Sequence, residues 1–297
     1  MTRVAIVGTG RMGSAMARAL AGGGASLVVH NRTADRAEAL ASELGAEVAP
    51  TPAQAAASAE ITLTMLADEA AVHSTWAGQD GLLDGARPGS VLADMSTVPP
   101  SVIGAFAGRA RTAGIGILDA PVSGSVTLAE TGQLTIMAGG AAADLERARP
   151  TFEVLAKRIF HMGPLGAGAA MKLAVNGVIF ALNNALSEAL VLAERAGIER
   201  SLAYDVLADS AVGAPFVGYK RQAFLDPEGA PVAFSLDLAA KDLRLISAFA
   251  DSVGLDAPQV RANAELIRAA SAAVGADRDF AEVATYLRSS DGEGRAD

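Results

Sequence analysis

The residues of this chain best suited to acid–base chemistry are a lysine and an asparagine set into an apolar segment. The stretch Gly166-Ala167-Gly168-Ala169-Ala170-Met171-Lys172-Leu173-Ala174-Val175-Asn176 has the composition of a helix. Lys172 and Asn176 are four residues apart and therefore share one helical face. An ammonium group there is costly unless it faces a cleft or a charged ligand. With an ordinary pKa of about 10.4 it is protonated at neutral pH and can donate a proton to a developing alkoxide. Burial or neighbouring cations lower that pKa and let the same group act as a base. Proton donor and acceptor is one reading of Lys172; a structural lysine at a domain seam is the other.

A partner for such a group stands at the start of the chain. Val4-Ala5-Ile6-Val7-Gly8-Thr9-Gly10-Arg11-Met12-Gly13 reads as a strand, a glycine-rich turn and a helix start. Gly8 suits the tight turn, Gly10 lets backbone approach a pyrophosphate, and Gly13 lets helix and strand pack closely. The helix start at Arg11 and Met12 offers free N–H groups and a positive dipole end to phosphates. About twenty residues on, a NAD-preferring site carries a carboxylate for the ribose 2′-hydroxyl. This chain has His30-Asn31-Arg32-Thr33 instead. Arg32 offers a forked cation to a 2′-phosphate, and Asn31 and Thr33 offer donors, which favours NADP over NAD. The plainer alternative makes Asn31 or Thr33 a helix cap and Arg32 a solvated residue.

Composition excludes several other chemistries. There is no cysteine among the 297 residues, so disulfides, thiolate nucleophiles and cysteine-ligated metals are ruled out, and a reducing, cytoplasmic home is expected. The three histidines, His30, His73 and His161, lack ligand spacing, and no metal site is expected. A net charge of −9 opposes nucleic acid and anionic lipid. The first residues lack a signal-peptide pattern, and the apolar stretch 169–193 carries Lys172, Asn176, Asn183, Asn184 and Glu188, against a membrane span. Only four of the 24 basic residues are lysines; composition alone accounts for Lys157 and Lys220, which leaves Lys172 and Lys241.

The elements that must position these groups fall into two halves. Up to Gly163, short β-branched runs alternate with alanine-rich segments, the pattern of βα units on a parallel sheet. Strands are expected at 4–7, 26–30, 46–48, 61–66, 90–94, 116–119, 133–138 and 158–161. Helices are expected near 12–22, 34–44, 52–58, 69–76, 99–112, 125–131 and 142–155. This predicts an α/β fold: a doubly wound, mostly parallel Rossmann domain over 1–163. An all-helical domain is predicted over 164–297, with helices near 167–196, 201–212, 236–254, 258–273 and 279–288. Its first helix would run roughly 45 Å. That length points to burial against a partner subunit, a homodimer or homotetramer formed through the helical domain. Met171, Phe180, Phe216 and Phe234 read as core packing, with a pocket lining as the alternative, and the polar, glycine-containing tail 291–297 as disordered.

Taken together, five segments resemble the β-hydroxyacid dehydrogenase family, whose members include 3-hydroxyisobutyrate dehydrogenase and glyoxylate/succinic semialdehyde reductases and whose N-terminal domain is 6-phosphogluconate dehydrogenase-like. They are Gly8 to Gly13, Asp94-Met95-Ser96-Thr97, Asp119 to Ser125, Gly166 to Asn176 and Lys241-Asp242-Leu243. The resemblance implies an NADP-dependent oxidoreductase interconverting a small hydroxy acid and its aldehyde or keto acid. It makes Lys172 the general acid and base, and gives Ser123, Gly124 and Asn176 the substrate carboxylate and reacting oxygen. Thr97, Lys241 and the Leu66-Ala67 loop would contact the nicotinamide half of the cofactor. Glycine at 124 is consistent with this, since backbone N–H groups without a Cβ can approach a carboxylate.

Two alternatives are weighed against it. An NADPH-dependent imine reductase shares the architecture and the Asn-Arg-Thr sequence, but it resembles this chain less at the Lys172 helix. A non-catalytic NADP-binding module would have no use for Lys172. The segments 209–216 and 226–231 match no one subfamily, so the particular hydroxy acid is not legible.

Overall fold

A computed structural model describes residues 2–290; the tail 291–297, expected to be disordered, lies outside the described residues. The chain divides into two compact units, Met1–Lys172 and Leu173–Asp297. This boundary falls inside a helix and later than the Gly163 expected from the loss of strand signal.

Among the described residues the first unit contains nine strands: β1 (Arg3–Val7), β2 (Ser26–His30), β3 (Glu47–Val48), β4 (Ile61–Thr64), β5 (Val91–Asp94), β6 (Gly116–Asp119), β7 (Val122–Ser123), β8 (Leu134–Gly140) and β9 (Ala156–Gly163). Their order is β3-β2-β1-β4-β5-β6-β8-β7, with β9 on β8. The block from β3 to β6 is parallel, and β8 runs antiparallel to β6 and β7. Strand order reverses direction between β1 and β4, the switch point where open α/β sheets bind ligands beyond the carboxyl ends of the strands. The parallel strands are apolar along their length because helices cover both faces. Val4, Ile6, Leu63 and Ala93 pack into one core, and Ala5, Val7, Leu92 and Ile117 into the other.

The covering helices are α1 (Arg11–Gly22), α2 (Ala34–Leu44), α3 (Pro52–Ser58), α4 (Glu69–Ala77), α5 (Leu82–Gly85), α6 (Pro100–Gly104), α7 (Ala107–Thr112), α8 (Val126–Glu130) and α9 (Ala142–Leu155). The single helix expected over 99–112 is broken at Ala105 and Phe106 into α6 and α7. The short α5 and β7 were not foreseen, being too brief to show a period.

The helix α10 (Ala167–Arg195) is 29 residues long and is followed by α11 (Arg200–Asp209), α12 (Pro215–Leu225), α13 (Leu236–Ser252), α14 (Pro258–Val274), a 3-10 turn at Phe280–Glu282 and α15 (Val283–Ser289). Sequence reading missed α12, whose first residue is Pro215 and whose interior holds Gly218. Proline is well placed at a first helical turn, so the signal was a helix start rather than a loop. By length and composition α10 alone among the described helices could cross a membrane. Yet Asn183, Asn184 and Ser187 are buried on it and bonded: Asn183 donates to the Phe280 carbonyl and Asn184 to the Asn263 side chain. That is the pattern of a globular core helix.

Phe180, Phe216 and Phe234 all pack around Phe280, as core residues should. Met171 departs from the core reading and is 38% exposed. Lys220, explained above by composition, is in fact buried and held by Asp279 at 2.6 and 2.8 Å.

Candidate active site

The glycine turn has the shape its residue types predict. Gly8 has φ +100°, and a Cβ on it would lie 2.3 Å from the Met65 carbonyl; one on Gly13 would lie 1.9 Å from the Gly8 carbonyl. These two glycines let β1, β4 and α1 approach one another. Gly10 differs, since a Cβ there would meet nothing within 4 Å. It opens on free space at the start of the 12-residue α1, whose first amides receive no side-chain cap. A glycine required by approach from outside, beside uncapped helix amides, fits a pyrophosphate. Arg11 is exposed and Met12 half-buried at the same helix start.

At the end of β2 the expected donors divide their roles. Asn31 accepts from the Thr9 amide at 3.1 Å and donates to the Thr33 carbonyl at 3.0 Å, so its side chain ties the first glycine turn to the start of α2. Thr33 occupies the N-cap of α2 without making a side-chain cap bond. Arg32 is exposed, and so is Arg36 one helical turn later, a second cation that sequence reasoning passed over.

The loops after β4 and β5 are locked together by a buried carboxylate that was also missed. Asp94 Oδ1 accepts from Thr64 Oγ1 at 2.6 Å and from Ser96 Oγ at 2.8 Å. Ser96 Oγ accepts in turn from the Leu66 amide at 2.9 Å, and Trp76 Nε1 donates to Thr64 Oγ1 at 3.3 Å. The network thus reaches the Leu66 amide; Ala67, the next residue, is exposed, and Thr97, next to Ser96, is half-buried. Burial pushes the Asp94 carboxyl up to about 6; hydrogen bonds from Thr64 and Ser96 oppose this, and the charge of Asp119 adds to it. The signal was present in the sequence as a charged residue ending an apolar strand.

Ser123 and Gly124 form the end of β7 and the turn after it. Gly124 has φ +146°, and a Cβ there would lie 2.7 Å from Leu134 Cδ2, so only glycine fits. Ser125, not Ser123, caps α8 by accepting from the Leu128 amide, and Ser123 is half-buried.

On α10, Lys172 is half-buried. At about 100° per residue, Lys172, Asn176, Asn183 and Ser187 fall on one side, and exposed Val178 and Leu192 on the opposite one. In the helical unit, Asn176 Nδ2 donates to Asp242 Oδ2 at 2.8 Å, and Lys241 Nζ lies 2.8 Å from Asp242 Oδ1. Asp242 is buried, so the Lys241–Asp242 pair is no loose surface contact. Asp242 gathers two of the expected site residues across 66 positions, which spacing alone did not reveal.

Comparison with known proteins decides the family. Residues 3–163 match the NAD binding domain of 6-phosphogluconate dehydrogenase, and residues 166–287 match the NAD-binding domain of NADP-dependent 3-hydroxyisobutyrate dehydrogenase. This chain belongs to the β-hydroxyacid dehydrogenase family. Glyoxylate/succinic semialdehyde reductase 1 of Arabidopsis thaliana is 35% identical over 94% of this chain and 96% of its own length. The NAD-dependent L-serine dehydrogenase of Pseudomonas aeruginosa is 32% identical over 95% and 97%. A structure of Mycobacterium tuberculosis 3-hydroxyisobutyrate dehydrogenase with L-serine superposes with a TM-score of 0.83 at 31% identity, covering 97% of this chain and 99% of that one. An imine reductase from Pseudomonas sp., at 22% identity and a TM-score of 0.63, shares the fold. The chain is an NAD(P)-dependent oxidoreductase of the class acting on CH–OH groups of hydroxy acids.

Proposed function

We propose that this β-hydroxyacid dehydrogenase uses NADP to interconvert a short hydroxy acid and its semialdehyde or keto acid, with Lys172 moving the proton. The observation that carries the reading is the placement of Lys172: half-buried, on the side of α10 shared with Asn176, at the position where the family motif has its lysine. The nicotinamide, when bound, supplies or accepts the hydride. In reduction the Lys172 ammonium donates its proton to the carbonyl oxygen; in oxidation the neutral amine takes the hydroxyl proton. Asn176, its amide oriented by Asp242, and the Ser123-Gly124 backbone orient the substrate carboxylate and reacting oxygen. Thr97, Lys241 and the Leu66-Ala67 loop would contact the nicotinamide half of the cofactor. Lys172→Ala is expected to lower kcat by about 10²- to 10⁴-fold with cofactor affinity intact. Wild-type turnover in that variant would remove the mechanism.

The NADP preference rests on the end of β2, where no carboxylate stands and Arg32 and Arg36 are both exposed. Arg32→Ala should lower the NADPH/NADH ratio of kcat/KM by about tenfold or more, the worth of a charge-assisted bond. Relatives named for glyoxylate, succinic semialdehyde and L-serine all handle small carboxylate-bearing molecules. Oxidation of 3-hydroxyisobutyrate, serine, glycerate, 4-hydroxybutyrate and 3-hydroxypropionate with NADP⁺ would identify the acid. A cysteine-free chain suits a reducing compartment, and we place the enzyme in the cytoplasm.

A second copy of the chain is the proposed partner of the helical unit. Ala174, Val178, Ala185 and Leu192 form an exposed stripe down α10, and Leu202 and Val206 are exposed on α11. An apolar stripe of this length marks an interface, and sedimentation of the native enzyme as a monomer would refute it.

A further inference from the structure

We propose that Asp119 is a positioning residue for the helix that carries Lys172, holding its first turn by a cap supplied from the sheet. The inference rests on the reading of Lys172 as the proton donor. Gly166 stands at the N-cap of α10, its carbonyl accepting from the Ala170 amide at 3.0 Å. No residue from Gly166 to Ala170 carries a side-chain acceptor. A helix normally meets this need with a cap residue whose side chain takes the third amide, and a third residue whose side chain takes the cap amide. Here one carboxylate does both: Asp119 Oδ1 accepts from the Gly166 amide and Oδ2 from the Ala169 amide, each at 2.7 Å.

The surroundings are shaped for this contact. Asp119 ends β6, so its backbone is fixed by the sheet. A Cβ on Gly168 would lie 2.2 Å from the Met137 carbonyl and 3.0 Å from Asp119 Oδ2; one on Gly139 would lie 2.5 Å from Asp119 Oδ1. Gly166 has φ +95°, a conformation that favours glycine. The glycines of the Gly166-to-Lys172 motif therefore act as the seat for a sheet carboxylate. A negative charge at a helix N-terminus is also favoured by the helix dipole. Lys172 follows Ala169 by three residues, within the next turn, so a shift of the first turn moves its ammonium group directly. Burial pushes the Asp119 carboxyl above its ordinary range, against the amide bonds that hold it ionised.

The test is Asp119→Asn, which keeps the shape but sets an amide donor against one of the two N–H groups. Hydrogen–deuterium exchange over 164–173 reads the cap itself and should quicken. Turnover should fall about 10- to 100-fold, the loss expected for a misplaced catalytic group, with NADPH Kd changed less than twofold. In a Lys172→Ala background the same substitution should alter the residual rate less than twofold. Unchanged exchange, or an equal loss in both backgrounds, would overturn the proposal. Near wild-type turnover in Lys172→Ala alone would instead sink the catalytic reading, which the exchange measurement does not depend on. Should Asp119→Asn fail to fold, Gly166→Ala strains the same cap from the helix side and must give the same coupled loss; a loss independent of Lys172 would overturn the proposal.

Discussion

The two units bury carboxylates by different means. In the Rossmann unit, Asp94 and Asp119 are held by hydroxyl and amide donors: Thr64, Ser96, Gly166 and Ala169. In the helical unit, buried Asp279, Asp242 and Glu282 each face a cation: Lys220, Lys241 and Arg278. Neutral donors fix direction without cancelling charge, so burial wins and both sheet carboxyls are pushed up. They also belong to parts that must be placed finely, two loops and one helix start. Cation pairs cancel charge, and Lys220–Asp279 also ties α12 to the 3-10 turn. The first design loses stability as pH rises towards 6; the second is intolerant of losing the cation.

The sharpest way to break this contrast is Lys220→Met. Removing one partner of a buried pair leaves the other uncompensated, at a typical cost of about 3–5 kcal/mol. Asp279 keeps its bonds from the Ala233, Phe234 and Ala281 amides, which favours the lower end. The lost contact of the ammonium over the Phe280 ring, 4.3 Å from its centroid, pushes the other way. Urea unfolding measures the loss, and a cost below about 1 kcal/mol would mean that backbone donors alone satisfy Asp279, as donors satisfy Asp94.

The next effect belongs to Asp94 and depends on pH. Its folded pKa of about 6 lies above the ordinary value of 3.8, so folding disfavours the ionised form. The stabilising contribution of the neutral form is complete below about pH 4 and is lost as pH rises through 6. Two pKa units correspond to about 3 kcal/mol. Asp94→Asn cannot ionise. The stability of the wild type relative to this variant should therefore fall by about 3 kcal/mol between pH 4 and pH 7, as measured by denaturant unfolding at each pH. A difference independent of pH would show that Asp94 keeps an ordinary pKa.

These same residues mark the limit of what the sequence could say. The glycine turn, the ends of β1, β2 and β6, and both ends of α10 were legible because local composition and period determine them. Asp94 and Asp119 stood in quoted motifs, yet their roles were hidden. They are register partners only because β5 and β6 are neighbours in the sheet, and Asp119 serves a helix 47 residues away. Lys220 looked unremarkable because nothing near it in sequence announces Asp279. The Asn176–Asp242 bond likewise joins two helices that only the packed core brings together. Short elements fell below the reach of periodicity, and no helix was expected between 212 and 236, where Pro215 begins α12.

The smallest predicted effect is Ser96→Ala, and it separates donor control from burial. Ser96 Oγ gives its proton to Asp94 Oδ1 and accepts the Leu66 amide, so its loss leaves that amide without a partner, at about 1–2 kcal/mol. Ser96 donates to the ionised carboxylate and therefore holds the Asp94 pKa down. Without it the pKa must rise, and the pH at which Asp94 loses half its stabilising contribution must rise with it. Comparing Ser96→Ala with Ser96→Ala/Asp94→Asn across pH measures that midpoint. An upward move shows neutral donors resisting desolvation in the Rossmann unit. A downward move or none would show that Ser96 does not hold the Asp94 pKa down, leaving Thr64 as the hydroxyl donor that opposes burial there.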